Sequence, residues 1–201
     1  MSSLPIPPLY TVERYLEIDA ASDVRNEFFD GYIVAMAGNT PEHVRISTNL
    51  ARYLGNAFDG RPCEVWSSDL RVLASETTYV YPEISVTCGE PIFLPTKPKT
   101  LTNPLVVVEV LSNSTERIDR REKFLSYQAL ESLQHYVLVS QDRALIEVYT
   151  RQSNGHWDYV PLLSLEATLD LSAIDFSVPL SLIYRGVEFP VKLEVTEESA
   201  S

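Results

Sequence analysis

The segment PLVVVEVLS, from Pro104 to Ser112, decides how the chain folds, because its composition is that of a fully buried strand. Residues 105–108 are all apolar, and so are Val110 and Leu111, so apolar side chains fall on both faces of the predicted strand. One carboxylate, Glu109, interrupts the run. A lone buried carboxylate is costly unless it is neutralised, paired or bound to a metal. Glu109 is therefore the first candidate for a functional residue.

The composition predicts one globular domain with a sizeable core, since the chain has 201 residues and 45% of them are hydrophobic. We expect this domain to span residues 1–201, with a core over about 9–184 and a frayed acidic tail over about 194–201. The net charge is −12, which argues against a protein that coats DNA non-specifically. It does not exclude an enzyme that needs acidic residues to hold cations.

Nothing in the sequence indicates secretion or a membrane. Cys63 and Cys88 match no zinc spacing, and we expect both to be reduced. The first ten residues lack a basic start and an apolar run, so no signal peptide is predicted. No stretch approaches the roughly 18 apolar residues of a membrane span. These patterns predict a cytoplasmic protein.

The N-terminal quarter of the chain predicts a helix, a hairpin and a second helix. Thr11 caps the first helix, and Asp30-Gly31 suits a type I′ turn between the apolar runs of residues 26–36. Thr40-Pro41-Glu42 starts a helix that continues to about Phe58. One face of this second helix carries an apolar stripe at four-residue spacing. The stripe consists of Ile46, Leu50, Leu54 and Phe58.

The rest of the chain alternates strands with one long helix. Residues 63–74 and 79–88 read as strands, 91–104 as a Pro-rich loop, and 114–132 as a helix capped by Ser114 or Thr115. Three more strands follow at 135–140, 144–150 and 155–162. The order predicts an α/β (α+β) fold with a mixed central sheet flanked by helices, preceded by the N-terminal helix and hairpin.

Two further acids lie in apolar surroundings, as Glu109 does. Glu83 follows Pro82 inside an apolar strand, and Glu27 precedes Phe28. Three such carboxylates would repel one another if they met, and a hard divalent cation such as Mg²⁺ removes that cost. Such an ion lowers the pKa of a bound water and stabilises charge on a phosphate.

Basic residues follow the central strand within the next helix. Lys123 is placed to lie over the strand end, where its ammonium could orient a water or neutralise a phosphate. A dense cluster of arginines surrounds Lys123 in the sequence, and we expect it to bind phosphate. The cluster consists of Arg117, Arg120 and Arg121.

Each candidate has a plainer interpretation. A solvent-facing Glu83 fits the sequence equally well, since strands alternate their side chains. The basic run is typical of a solvated helix face with pairs such as Glu116–Arg120. His43 lies on the apolar stripe, where a core or capping role is commoner than a ligand role. Asp69 could pair with Arg71 or belong to a turn.

The segments YPEISV, PLVVVEVLSNST and DRREKFLSY together resemble the Uma-two family of restriction endonucleases, a branch of the PD-(D/E)xK nuclease superfamily. The resemblance extends from about Leu9 to Tyr184. It implies a restriction-endonuclease-like core and a Mg²⁺-dependent phosphodiesterase site. Glu83 takes the place of the motif aspartate after proline, so PD is PE here. Glu109 is the acid of the D/E-x-K element.

The resemblance also implies roles for residues outside the two central acids. Leu111 stands where the motif lysine is expected, so the lysine comes from the next helix as Lys123. Glu27 matches an additional N-terminal acid, and Ser112 is expected to hydrogen-bond near the metal. His43 and Asp69 are expected to support the site.

These expectations define a metal-dependent DNA endonuclease with Mg²⁺ or Mn²⁺ as cofactor, DNA as substrate and a homodimer as its assembly. A non-catalytic nuclease-fold module for dimerisation or partner binding is the alternative. A hydrolase acting on a smaller phosphodiester is a third hypothesis.

Overall fold

A computed structural model describes residues 9–36, 38–112 and 115–190. Its helices are α1 (Val12–Ala21), α2 (Pro41–Ala57), α3 (Glu116–Ile118), α4 (Phe124–Tyr127) and α5 (Leu180–Ile183), with a π-helical turn at Asp119–Lys123 and a 3₁₀ turn at Ser172–Ile174. Its strands up to the centre of the fold are β1 (Asn26–Phe29), β2 (Tyr32–Ala35), β3 (Cys63–Ser67), β4 (Arg71–Ser75), β5 (Thr78–Val80), β6 (Ile84–Cys88), β7 (Phe93–Leu94), β8 (Thr100–Leu101) and β9 (Val106–Leu111). The later strands are β10 (His135–Ser140), β11 (Ile146–Arg151), β12 (Trp157–Leu162), β13 (Thr168–Leu171) and β14 (Phe176–Pro179).

In these described ranges the strands form two six-stranded sheets and a two-stranded ribbon, β13–β14. The first sheet has the order β2-β1-β5-β4-β8-β7, and the second has the order β12-β11-β10-β9-β6-β3. Strand β9 is parallel to β10 and antiparallel to β6, so the second sheet is mixed. The predicted α/β fold with a mixed central sheet is confirmed.

Strand β9 lies inside its sheet and is buried along its whole length. Its alternate side chains enter two different cores, as the two-sided apolar composition predicts. Val106, Val108 and Val110 pack in the core that contains the α2 stripe, whereas Val107 and Leu111 pack with Tyr127. By this alternation Glu109 points towards the second core.

The predicted N-terminal elements are confirmed. Thr11 accepts a hydrogen bond from the Arg14 N–H at 3.2 Å and caps α1, while Thr40 accepts one from the His43 N–H at 3.2 Å and caps α2. The hairpin turn has positive φ at both Asp30 (46°) and Gly31 (96°), as a type I′ turn requires. The predicted α2 stripe is buried in the core.

Three predicted segments are subdivided in the structure. Residues 63–74 form β3 in one sheet and β4 in the other, because the chain turns at 68–70. Residues 79–88 break at Pro82, which has no N–H for a ladder bond. The Pro-rich loop contains the two short strands β7 and β8.

The predicted long helix is much shorter in the structure. Regular helix ends at Tyr127, and a π-helical turn interrupts it. Thr115 makes no side-chain capping bond, and the alternative cap, Ser114, lies outside the described residues. The predicted acidic tail, over about 194–201, also lies outside the described residues. The assignment of the chain to a single domain stays a prediction.

The expectation of reduced cysteines is wrong, because Cys63 and Cys88 form a disulfide. The two residues are direct partners in the antiparallel register of β3 and β6, which brings their side chains together. Sequence spacing alone gave no sign of this register. Across the described ranges, every helix is too short or too polar to cross a membrane.

Candidate active site

A cavity of about 410 Å³ opens between the β1–β2 hairpin, the start of α2, the end of β9 and the π-helical turn. Six of the residues predicted from sequence line this cavity. They are Glu27, His43, Glu83, Glu109, Ser112 and Lys123. Elements that are distant in the chain therefore bring the predicted site residues to one place.

The Lys123 ammonium lies among three carboxylates. Its Nζ atom is 2.9 Å from Oε1 of Glu27, 3.1 Å from Oε1 of Glu109 and 3.1 Å from Oδ1 of Asp119. All four side chains are almost completely buried. The π-helical turn positions both Asp119 and Lys123, while β1 and β9 supply the other two acids. We call these four residues the lysine cluster.

Burial and charge shift the pKa values of this cluster. Burial raises the pKa of the Glu109 carboxyl; the Lys123 ammonium lowers it, and the charges of Asp119 and Glu27 raise it further, so the pKa lies well above its ordinary value. Burial opposes the charge on Lys123, but attraction by Glu109, Glu27 and Asp119 outweighs it and raises the lysine pKa. Lys123 is therefore a persistent ammonium, which can donate hydrogen bonds but cannot accept a proton near neutral pH.

Two further groups hold the carboxylates in place. The Tyr81 N–H donates to Oε1 of Glu27 at 3.0 Å, and the Tyr127 hydroxyl donates to Oε1 of Glu109 at 3.3 Å. Burial raises the pKa of Tyr127 well above its ordinary value, so this hydroxyl remains a donor. Within the described residues, the contacts of Glu109 all involve Oε1, which leaves Oε2 for another ligand.

Glu83 lines the same cavity as the lysine cluster and contacts His43. Nε2 of His43 is 2.7 Å from Oε1 of Glu83, and both side chains are less than a tenth exposed. His43 lies in the first turn of α2, directly above the apolar stripe. The Glu83 carboxylate is thus buried against the His43 ring and is not exposed to solvent.

The donor set fits a hard divalent cation by its chemistry. Glu27, Glu83, Glu109 and Asp119 supply four carboxyl groups to the cavity, whereas Lys123 supplies one ammonium, so acidic oxygens predominate among its polar groups. Mg²⁺ and Mn²⁺ prefer carboxylate oxygens and usually retain several waters. In the part of the chain that the structure describes, no three His, Cys, Asp or Glu side chains form a ready-made metal cluster. Glu83 and Glu109 would therefore hold an ion together with waters.

Four predicted residues lie elsewhere. Asp69 is 84% exposed, contacts Arg25 at 3.4 Å and lines a second cavity instead. Arg120 pairs with Glu116 at 2.8 Å and also with Glu147. Arg117 and Arg121 are exposed on the surface of the α3–π segment. Ser112, unlike these four residues, lines the cavity, and its hydroxyl lies 3.0 Å from the hydroxyl of Thr115.

Sequence reasoning missed Asp119, which contacts Lys123 directly. The i,i+4 spacing of Asp119 and Lys123 was a usable signal, because such residues lie on one side of a helical turn. It was hidden because the surrounding run of charges is typical of a solvated face. Thr40 and Gln141 were also missed; both line the cavity, and the Thr40 hydroxyl donates to Oε1 of Gln141 at 3.0 Å.

Residues 12–181 match the model of the Uma2 family, which is described as "Putative restriction endonuclease". The chain belongs to this family. Two relatives from Synechocystis sp. are the uncharacterized proteins slr1290, 37% identical over 93% of this chain and 97% of the relative, and sll1609, 31% identical over 82% and 93%.

A solved structure has the same fold. It is described as "a putative nuclease belonging to DUF820" from Anabaena variabilis, with a TM-score of 0.71 and 16% identity. The similarity covers 90% of this chain and 98% of the other. At this level of identity the comparison supports the fold alone.

Proposed function

We propose that the chain is a metal-dependent DNA endonuclease that uses Mg²⁺ or Mn²⁺. One observation carries the proposal: Glu83, Glu109 and Lys123, from three separate segments, line one cavity. The family description, "Putative restriction endonuclease", supports the same class of reaction.

Each residue has a defined task in phosphodiester hydrolysis. Glu83 and Glu109 would hold the cation, which would supply a more acidic water and neutralise charge on the phosphate. Lys123 donates hydrogen bonds to the attacking water or to a non-bridging phosphate oxygen, where negative charge increases during attack. Glu27 and Asp119 keep its ammonium oriented towards the cavity. The water oxygen forms a new P–O bond and releases a proton to solvent, one ester P–O bond breaks, and the departing oxygen takes up a proton from solvent.

The substrate backbone needs further positive charge near the cavity. Arg120 already has two carboxylate partners, so we assign phosphate contacts to the exposed Arg117 and Arg121. Arginine binds phosphate with paired N–H donors, and such contacts make binding depend on salt. We also propose a homodimer, because two sites related by a two-fold axis can cut both strands of a duplex. Light scattering of the purified protein tests this assembly.

Nicking of supercoiled plasmid tests the nuclease proposal. We expect nicking with Mn²⁺ or Mg²⁺ and none with EDTA. Glu109→Gln and Lys123→Met should each lower the rate by about 100-fold or more, as removal of an electrostatic catalytic group does. Matched controls are Glu64→Gln and Lys97→Met, which change exposed residues outside the cavity and should keep the wild-type rate.

Equal nicking by Glu109→Gln and wild type would overturn the proposal. The alternative is then a nuclease-fold module for dimerisation or partner binding. One observation favours that alternative: Lys123 already neutralises part of the acidic cluster without any ion. A melting temperature that rises with Mn²⁺ in wild type but not in Glu83→Gln would argue against the module, because an ion bound only by the folded state stabilises it.

A further inference from the structure

His43 is a buried histidine whose ring nitrogens have no ordinary hydrogen bond. Both Nδ1 and Nε2 are inaccessible to solvent, and neither has a hydrogen-bond partner among the described residues. Nε2 lies 2.7 Å from Oε1 of Glu83, which is within hydrogen-bond distance, but the two atoms do not have the alignment of a hydrogen bond. Buried polar groups left in this state cost free energy, so the arrangement needs an explanation.

A second buried histidine in the same chain behaves differently. His135 is 1% exposed, its Nδ1 lies 3.1 Å from Oγ1 of Thr150, and its Nε2 accepts a hydrogen bond from the Ala173 N–H at 3.2 Å. Both nitrogens of that structural histidine are therefore satisfied. His43 lacks this pattern, although it too is buried, with 4% exposed, and lines the cavity.

The relative positions of His43 and Glu83 suit two donors of one ion. Mg²⁺ and ions of similar size bind ligands at about 2.0–2.1 Å with octahedral geometry, so neighbouring donors lie roughly 3 Å apart. Their lone pairs then point at the ion and not at each other. A short Nε2–Oε1 distance without hydrogen-bond alignment matches this relation.

We propose that Nε2 of His43 and the carboxylate of Glu83 bind the same divalent cation, which makes the centre a mixed nitrogen and oxygen site. The inference rests on the proposed nuclease site and specifies its metal chemistry. Imidazole favours first-row transition ions, whereas Mg²⁺ strongly prefers oxygen. The site therefore binds Mn²⁺ more tightly than Mg²⁺, and His43 is responsible for part of that preference.

Pulsed electron paramagnetic resonance of bound Mn²⁺ tests the proposal directly. The wild-type protein is prepared with ordinary histidine and with ¹⁵N-labelled histidine, and each sample receives less Mn²⁺ than protein. We expect nitrogen modulation of the Mn²⁺ signal that changes with the label. This comparison needs no mutation, so it does not depend on how any variant folds.

His43→Gln then identifies the histidine among the three in the chain. We expect the label-sensitive modulation to disappear and Mn²⁺ affinity to fall about tenfold or more, with a smaller change in Mg²⁺ affinity. The matched control is His156→Gln, because His156 is exposed and lies outside the cavity. This control should keep both the modulation and the affinity.

The outcomes separate this inference from the nuclease proposal. Bound Mn²⁺ without label-sensitive modulation, or modulation that persists in His43→Gln, overturns the role of His43. If the plasmid is still nicked and Glu109→Gln is inactive, the nuclease proposal stands. Absence of any Mn²⁺ binding by wild type, together with absence of nicking, overturns both.

Discussion

Nζ of Lys123 lies 3.1 Å from Oε1 of Glu109, although the two residues are 14 positions apart and belong to different elements. Glu109 is part of a strand inside the mixed sheet, and Lys123 ends a π-helical turn. The ion pair therefore depends on how the helical segment packs on the sheet. The same contact connects a strand of the core, through Glu109, with the lysine that we propose to act in cleavage.

Removal of Lys123 should destabilise the fold as well as the site. Lys123→Met leaves Glu27, Glu109 and Asp119 buried without their cation, and breaking a buried pair in this way costs about 3–5 kcal/mol. Urea unfolding in EDTA measures the change in the free energy of unfolding. Lys97→Met, an exposed control, should stay within about 0.5 kcal/mol of wild type. Equal stability of Lys123→Met and wild type would contradict the cluster.

Asp119 should affect the rate of cleavage more than the binding of metal. Asp119→Asn keeps a carbonyl oxygen near Lys123 but loses the charge that orients the ammonium, so we expect nicking at saturating Mn²⁺ to fall about tenfold. Calorimetric Mn²⁺ affinity should change little, since Asp119 acts through Lys123. A large loss of Mn²⁺ affinity with an unchanged rate would show instead that Asp119 is a metal ligand.

A second buried ion pair should stabilise the first sheet. Arg71 Nη1 lies 2.7 Å from Oδ2 of Asp19, and the guanidinium also donates to Thr100 Oγ1 at 2.8 Å and to the Pro98 carbonyl at 2.7 Å. Arg71→Met should lower the free energy of unfolding by about 3–5 kcal/mol, because it leaves the buried Asp19 carboxylate without its cation.

A double-mutant cycle with Asp19→Asn separates the pair from its surroundings. The double variant should lose less than the sum of the two single losses, since no unpaired charge is left. Strict additivity would mean that the two charges do not interact.

Stability should fall as the pH is lowered past the ordinary pKa of histidine. Burial lowers the pKa of His135 below 6.5, despite an opposing effect of Asp170, so the folded state favours the neutral ring. The unfolded chain then binds more protons as the pH falls below about 6.5, which destabilises the fold down to the lower pKa of the folded state.

Chemical unfolding between pH 7.5 and 5 measures this slope. His135→Gln should be less stable at neutral pH but should show a flatter pH dependence than wild type. His156→Gln, which changes an exposed histidine, should keep the wild-type slope. An unchanged slope in His135→Gln would assign the effect to other groups.

Reduction of the Cys63–Cys88 disulfide should lower stability without stopping cleavage. The bond closes a segment with a sequence separation of 25, for which chain-entropy arguments give about 3 kcal/mol. Cys88 ends β6, whereas Glu83 directly precedes that strand, so the bond lies at the far end from the cavity. Denaturant unfolding and nicking of the Cys63→Ala/Cys88→Ala variant check both parts. Loss of nicking in a folded variant would contradict the second.

The buried strand and its acid were predictable because composition reports burial directly. Glu109 interrupts an apolar run. The helix α2 is predicted by Thr40 and Pro41 at its start and by its apolar stripe at four-residue spacing. Such features are predictable because they depend on residues within a single strand, helix or turn. The same holds for the Asp30-Gly31 turn.

Features that depend on how distant segments pair were not predictable. The disulfide follows from the register of β3 on β6, and the division of strands between two sheets follows from turns with no strong signal. Asp119 belongs to a run of charges that is indistinguishable from a surface helix until its packing is known. The place of His43 on the stripe favours a core or capping role, the family resemblance predicts a supporting role, and only the approach of Glu83 from another segment shows its environment.

The π-helical turn makes the proposed chemistry sensitive to insertions and deletions of single codons. A π turn contains one residue more than an α turn, and each residue of an α-helix advances the side-chain direction by about 100°. Loss of one residue among 119–122 would restore a regular helix and swing the ammonium of Lys123 away from Glu109. The sheets would keep their strands, so descendants of such a deletion would retain the fold and still carry the lysine, but its ammonium would no longer reach Glu109. An alignment of their strands alone would not reveal the change.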